Sequence, residues 1–293
     1  MSPKPVPKIK ISILQRPLRV FSMNIYHVHE PYPQRKRLLR DGIRRLSPDV
    51  LAFQEAWLDG KQNQVAELLD GLGYNVFHQF ESLPPRPSSH NGNAIASRWP
   101  IERLPVLSLQ VTDRSQNDIY AAMPVKILAP DPVGPFLFVN CKPSWELRSE
   151  LERELQLLAI ADMVGKRADP GGFPTILAGD FDATPDSAGI RFLSGKQSLH
   201  GKSVHYRDAW LHGGDGTEGF TWTYRNDMAK AVIGRVVHQQ RHERRIDYIF
   251  LGSPHDYARF ARVRACRVAL NKPKNRVWPS DHYGLYAEID VVP

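Results

Sequence analysis

Cysteine is scarce in this chain. Cys141 and Cys266 are the only two in 293 residues, which excludes a disulfide framework and a thiol-rich zinc site. Long apolar runs are missing as well. None approaches the roughly 20 residues that a membrane helix needs, so no stable membrane insertion is expected. Residues 1–10 are rich in Pro and Lys and lack the apolar stretch of a signal peptide. We read 1–17 as a flexible arm and expect a cytoplasmic location. There is no repeat of fixed period and no Gly/Ser-rich linker, so 18–293 reads as one domain. What remains is an ordinary globular composition, 42% apolar and 24% charged, long enough to bury a large core.

The net charge of +8 is unevenly placed. Residues 228–276 hold twelve Lys/Arg against Glu243, Asp247 and Asp256, a local charge of +9, and the rest is close to neutral. Such a run is either a solvated surface or a footprint for a polyanion: nucleic acid, an anionic membrane surface or a phosphorylated small molecule. No protein partner is indicated.

Hydrophobic spacing alternates between strand and helix. Segments 18–24, 50–53, 74–80, 93–97, 101–111, 119–128, 136–140 and 175–179 read as strands, and so do 221–224, 246–251, 263–270 and 285–291. Helical spacing covers 35–46, 61–72, 146–164 and 186–193. In 146–164 the predicted core stripe is Leu147, Leu151, Leu155, Leu158 and Met163, with Arg148, Glu150, Glu152 and Arg153 toward water. Segment 82–93, rich in Pro, Ser, Gly and Asn, reads as a loop.

Several short apolar runs end in an acidic residue. Glu55 follows 50–53, Asp180 and Asp182 follow 175–179, and Asp281 precedes the last strand with His282 beside it. If these strand ends converge, their oxygens suit a hard divalent cation, and a proton carrier stands next to it. Glu55 would be oriented by the amide of Asn24. Asp180 and Asp182 flank Phe181, so an extended backbone points both carboxylates one way and Phe181 into the core. Asp247 and His282 form a candidate acid–base pair, the carboxylate fixing the tautomer of the ring.

The strings Met23-Asn24-Ile25, Gln54-Glu55-Ala56, Gly179-Asp180-Phe181-Asp182, Arg245-Ile246-Asp247-Tyr248 and Ser280-Asp281-His282 occur in the order and spacing of the endonuclease/exonuclease/phosphatase superfamily. From about Arg19 to Val291 the chain resembles that family. The resemblance implies a four-layer αββα sandwich, with two mixed β-sheets packed face to face and covered by helices. It implies Mg²⁺- or Mn²⁺-dependent hydrolysis of phosphoesters, with Glu55, Asp281, Asn24, Asp180 and Asp182 as metal-binding candidates. Asp180 would orient or deprotonate the attacking water.

Two departures stand out. The family usually has Asn at the position of Asp182, and it shows Asn-Thr-His where this chain has Asn140-Cys141-Lys142. Lys142 offers a fixed positive charge for phosphate in place of the missing His. Candidate substrate contacts are Asp182, Asn140, Arg241, Arg244, Arg245 and Trp222. Trp222 either stacks on a base or sugar or fills the sandwich, the commoner use of such a ring. The expected activity is that of a phosphodiesterase or nuclease. The alternatives are a phospholipid or sugar-phosphate hydrolase, and a polyanion-binding protein that has lost turnover.

Overall fold

The structure is a computed structural model, and it describes residues 16–292. Most of the arm expected at 1–17 lies outside the described residues. In chain order the elements are β1 Leu18–Asn24, α1 Tyr32–Leu46, β2 Val50–Trp57, α2 Gln64–Leu69, β3 Asn75–His78, β4 Asn91–Ser97, β5 Ile101–Arg103, β6 Leu107–Ser108, β7 Ala121–Leu128 and β8 Pro135–Lys142. There follow α3 Glu150–Arg167, β9 Ile176–Asp180, α4 Ala188–Leu193, β10 Tyr206–Asp208, α5 Ala209–Gly213, β11 Trp222–Thr223, α6 Asp227–Val236, β12 Glu243–Arg244, β13 Asp247–Gly252, β14 Phe260–Ala269 and β15 Gly284–Val292.

These strands build two large mixed sheets. The first has the order β14-β15-β1-β2-β4-β3 and the second β10-β13-β9-β8-β7-β5, with β6 beside β7. Period-two alternation of side chains explains why both faces of each sheet are apolar. In β2, Val50 and Ala52 join the inter-sheet core with Val20, Ile95, Val125, Phe138, Ile176, Ile249 and Ala287. Leu51 and Phe53 point the other way, under Leu39 and Ile43 of α1 and Val65 and Leu68 of α2. On the outer face of the second sheet, Val139, Leu177, Tyr248 and Phe250 meet Leu157, Ile160 and Val164 of α3 and Ile190 and Leu193 of α4. Helix, sheet, sheet, helix is the expected four-layer arrangement.

Each large sheet contains one parallel pair. β1 runs parallel to β2, with α1 as the crossover, and β8 runs parallel to β9, with α3 as the crossover. Asn24 and Lys142 end the first strand of each pair, Asp180 ends β9, and Glu55 lies near the end of β2. Carboxyl ends of parallel strands are where an open α/β sheet exposes functional groups.

Helix α3 departs from its predicted stripe. Leu147 precedes the helix at 47% exposure, Leu151 is 55% exposed, and Glu152 and Arg153 are buried. The first turn overhangs the sheet and is held by polar bonds instead. The Arg153 guanidinium donates to the carbonyls of Ser144 and Glu146, and Glu152 accepts from Thr112. The strand expected over 101–111 is broken into β5 and β6, and Asp227–Val236 forms a helix where the sequence showed mainly a basic run.

Candidate active site

The two parallel pairs meet through Asn24. Its buried Nδ2 donates to Glu55 Oε1 at 2.9 Å within the first sheet and to Asp180 Oδ2 at 3.0 Å across to the second. Its Oδ1 accepts from the Tyr26 amide at 3.0 Å, which leaves one lone pair free. Glu55 sits at a β-bulge in β2, where the register with β4 shifts between Phe53 and Ala56, and its φ is +53°. A left-handed non-glycine residue costs roughly 1–2 kcal/mol. The bulge holds it because the amides of Ile25 and His27 donate to the carbonyls of Gln54 and Glu55. Such re-aimed side chains concentrate at functional sites.

On the second sheet, β9 ends at Asp180, and Phe181 turns into the core against Tyr248 and Phe250. Asp182 is left-handed at φ +49°. Lys142, 1% exposed, places Nζ 3.1 Å from Asp180 Oδ2 and hydrogen-bonds Asp182 Oδ2. The free phosphate-binding charge expected of Lys142 is therefore already paired. Burial opposes the charge of Lys142, but Asp180, Asp182 and Glu55 outweigh it and hold the amine well above its ordinary value. Burial likewise opposes ionisation of Asp180. Lys142, His282 and the Asn24 amide win and bring that carboxyl down to about 2.

His282 and Asp281 arrive on the segment before β15. Ser280 Oγ donates to the Asn24 carbonyl at 2.8 Å, and Asn226 Nδ2 donates to the carbonyls of Ser280 and Asp281. Arg35, fully buried in α1, donates to the carbonyls of Pro279 and His29 and so ties this segment to the loop after β1. His282 Nδ1 lies 3.0 Å from Asp247 Oδ2, and Nε2 lies 3.8 Å from Asp180 Oδ2. Burial works against a charged ring, yet Asp247, Asp180 and Asp281 lift it well above the usual histidine value. The amides of Ile246 and Asp247 donate to Thr221 Oγ1, which fixes the start of β13.

The pocket above these groups has a volume of about 240 Å³. Glu55, Asp180, Asp182, Asp281 and His282 form its floor, and Tyr26, Trp145, Leu147, Trp222, Val232, Arg235, Val236 and Arg244 form its walls. Trp222 is mostly buried against Ile233 and Ile246 and also tilts toward His282, with ring centroids 6.4 Å apart. β11 and β12 pair around α6, so one small unit supplies Trp222, Val232, Arg235 and Arg244. A second cavity of about 330 Å³ adjoins it and shares Glu55 and Trp145; its other lining includes Lys142, Ser88, His90, Asn91 and Asn117.

Three expected substrate contacts lie elsewhere. Asn140 is fully buried, donating to the carbonyls of Phe53 and Ala94 and accepting from Gln54, so it straps the two sheets together. Arg245 is buried in an ion pair with Asp208 at 2.6 Å. Arg241 is exposed and is not among the pocket-lining residues. The rest of the basic run is scattered too: Arg262 and Arg264 on the edge strand β14 pair with Asp290 of β15.

Sequence reasoning missed Trp145, Leu147, Tyr26, Thr221, Asn226 and Arg35. Only Trp145 and Leu147 carried a signal, apolar residues just ahead of a helix whose first turn is rich in acid.

The donor set fits a hard divalent cation. Five carboxylates (Glu55, Asp180, Asp182, Asp247 and Asp281) face one lysine and one imidazole, with Arg235 and Arg244 on the pocket wall. Burial pushes Glu55 up to about 7, Lys142 opposing and Asp281 adding to the rise. Glu55 accepts a hydrogen bond only from a neutral amide, Asn24. Asp180, Asp247 and His282 also cluster with ligand atoms within 4.8 Å of one another, but the His282–Asp247 bond already engages that group.

A two-sheet sandwich with carboxylates and a paired histidine at the ends of its strands defines a class of hydrolytic scaffold. The chain belongs to the endonuclease/exonuclease/phosphatase family, whose profile matches residues 21–282. Family membership supports hydrolysis of phosphoester bonds as the general activity. The protein YbhP of Escherichia coli K12 is 26% identical over 179 residues, which is 56% of this chain and 66% of that one. Among solved structures, D. rerio TDP2 complexed with single-strand DNA product is similar at 18% identity, with TM-score 0.69 over 93% of this chain and 98% of that one. The human Nocturnin catalytic domain is similar at 19% identity, with TM-score 0.67 over 94% of each chain. At such identities these structures establish the fold alone.

Proposed function

We propose that this protein is a divalent-metal-dependent phosphodiesterase whose metal, Mg²⁺ or Mn²⁺, would be held by Glu55 and Asp281 with Asn24 Oδ1 alongside. The observation that carries the reading is the cross-sheet bond of Asn24 to both Glu55 and Asp180, in a pocket that also holds the His282–Asp247 pair. When bound, the metal supplies charge stabilisation on the phosphate oxygens.

The remaining work falls to side chains of the chain. Asp180, acidic and pinned by Lys142 and Asn24, is a weak base and a good orienter: it accepts a hydrogen bond from the attacking water. Asp247, Asp180 and Asp281 favour the protonated His282 ring, whose Nε2–H would donate to a phosphate or leaving-group oxygen while Asp247 holds Nδ1–H. An intact acid–base pair of this kind favours turnover over mere polyanion binding.

The substrate side is less basic than the sequence implied. Of the twelve cations in 228–276, Arg235 and Arg244 line the pocket, enough for one phosphate and its neighbour on a nucleic-acid strand. A second reading, a phosphoester with an apolar arm, is favoured by Trp145 and Leu147, which are 42% and 47% exposed at the pocket wall. Hydrolysis of single-stranded DNA, RNA, phospholipid vesicles and an inositol phosphate, with Mg²⁺ or Mn²⁺ and then with EDTA, separates these readings. Turnover should vanish in EDTA and return with metal, and Glu55→Ala should lose it at any accessible metal concentration. Chelator-resistant turnover, or a fully active Glu55→Ala, would overturn the metal reading.

A further inference from the structure

The two acidic faces of the floor are not equally available to a cation. On the second-sheet face, Lys142 Nζ stands between Asp180 and Asp182, 3.1 Å from Asp180 Oδ2 and hydrogen-bonded to Asp182 Oδ2. The ammonium is 1% exposed and Asp182 is 8% exposed, so neither swings freely into solvent. Their backbones are fixed as well. Lys142 is the last residue of β8, and the Asp182 carbonyl accepts from Arg244 at 2.7 Å. Asp180 Oδ2 further accepts from Asn24, and Oδ1 from the Asp182 amide at 3.1 Å.

A divalent ion ligated by these oxygens would sit about 2.0–2.6 Å from them. That places it within about 4–5 Å of the ammonium, a repulsion that a buried site does not screen. On the first-sheet face, among the described residues, the one hydrogen bond to Glu55's carboxylate comes from the neutral Asn24 amide, and Asp281 Oδ1 lies 3.2 Å from Ser280 Oγ, whose proton goes to the Asn24 backbone carbonyl. Lys142 and Arg35 act on these two carboxylates only through space, and among the described residues no lysine or arginine forms an ion pair with either.

We propose that Lys142 is a resident cation that fills the Asp180–Asp182 face, so the pocket takes one divalent ion, on the Glu55–Asp281 face. This rests on the metal reading above and deepens it. Lys142 is then a positioning residue: it keeps Asp180 ionised and aimed, and it balances the charge that Asp182 brings. The fixed ammonium does the electrostatic work that a second metal would otherwise do.

Mn²⁺ titration of the full chain, read by calorimetry and by the loss of free-ion electron paramagnetic resonance signal, tests this without any turnover. Wild type should bind one Mn²⁺. Lys142→Ala, which vacates both the charge and the volume, should bind two, and Asp182→Asn should stay at one. Two ions in wild type would overturn the proposal, and that result needs no variant to fold. One ion in a folded Lys142→Ala would also overturn it, since the lysine would then exclude nothing. No ion in wild type but one in Lys142→Ala would sink the Glu55–Asp281 reading while upholding Lys142 as occupant of its face. No ion in either would sink both.

Discussion

The β1-α1-β2 and β8-α3-β9 units are built alike and end at the same pocket, yet their electrostatics differ. The second neutralises itself: Lys142 from its first strand pairs with Asp180 from its second and with Asp182 just beyond. The first does not. Asn24 is neutral, and Glu55 is lifted to about 7 by burial, with Lys142 opposing and Asp281 adding to the rise. Burial makes the ionised Glu55 costly and Lys142 offsets this only in part, so a counter-charge arriving with function would relieve it. The backbones differ in the same sense. The first unit spends a β-bulge and a left-handed residue on Glu55 itself, whereas in the second Asp180 ends a regular strand and the left-handed residue, Asp182, lies just beyond it.

The sharpest way to break this comparison is at the acid–base pair that, beside the Asn24–Asp180 bond, bridges the sheets. His282 precedes β15 of the first sheet, and Asp247 starts β13 of the second. On a soluble diester such as bis-p-nitrophenyl phosphate, His282→Ala and Asp247→Asn should each lower kcat by about 10²–10⁴-fold. The double variant should lose little more, because the two act as a unit. Losses that add on a logarithmic scale would show the sheets contributing independently.

What the sequence disclosed follows the same division. Glu55, Asp180 and Asp182 were legible because a short buried strand followed by an acid is a local pattern; Asp281 and His282 stood out as an acid–imidazole pair just ahead of the last strand, and the two-sheet sandwich was implied by the resemblance those motifs carry. Two partnerships were legible through the motifs, Asn24 with Glu55 and Asp247 with His282; those of the cations were not. Lys142 resembled a free phosphate-binding charge because its counter-ions lie 38 and 40 residues away. Arg245 counted toward a basic surface although Asp208 buries it. The stripe on α3 failed for a related reason. Helical periodicity assumes one flat apolar neighbour along the whole length, but the first turn of α3 leaves the sheet, so Leu151 is exposed and Arg153 is buried against carbonyls. Floors of sites lie at strand ends and are read locally; walls come from irregular segments whose neighbours are remote.

A smaller perturbation strikes the second unit alone. A Cβ on Gly179 would stand 2.0 Å from the Cys141 carbonyl oxygen, across the parallel β8–β9 pair. Gly179→Ala must push the two strands apart and with them Lys142 from Asp180. We expect a loss of about 3 kcal/mol in urea unfolding. Gly60→Ala, with nothing within 4 Å of the new carbon, should stay within about 0.5 kcal/mol of wild type. Equal stabilities would mean that the close strand contact, on which the self-neutralised unit depends, is not tight.

The smallest effect is expected in the first unit and depends on pH. His78 is fully buried beside the bulge, with Nε2 3.1 Å from the Ala56 carbonyl and Nδ1 accepting from the Phe80 amide at 3.2 Å. Both nitrogens are used by the neutral Nε2–H tautomer, so a second proton would cost the Phe80 bond. Burial lowers the ring to about 4, against the pull of the Ala56 carbonyl and Glu81. The unfolded chain protonates this histidine near pH 6.5, and the folded chain does so only near 4. Between those values the unfolded state holds more protons, so this contribution to stability is complete above pH 6.5 and is lost as pH falls toward 4. At about 1.4 kcal/mol per pH unit, the loss reaches about 2 kcal/mol at pH 5. Urea unfolding at pH 7 and pH 5 should therefore show wild type losing about 2 kcal/mol more than His78→Gln, whatever stability the variant has at pH 7. Equal losses would mean that His78 accepts its proton without disturbing the bulge, and that the strained turn aiming Glu55 is held by the Ile25 and His27 amides alone.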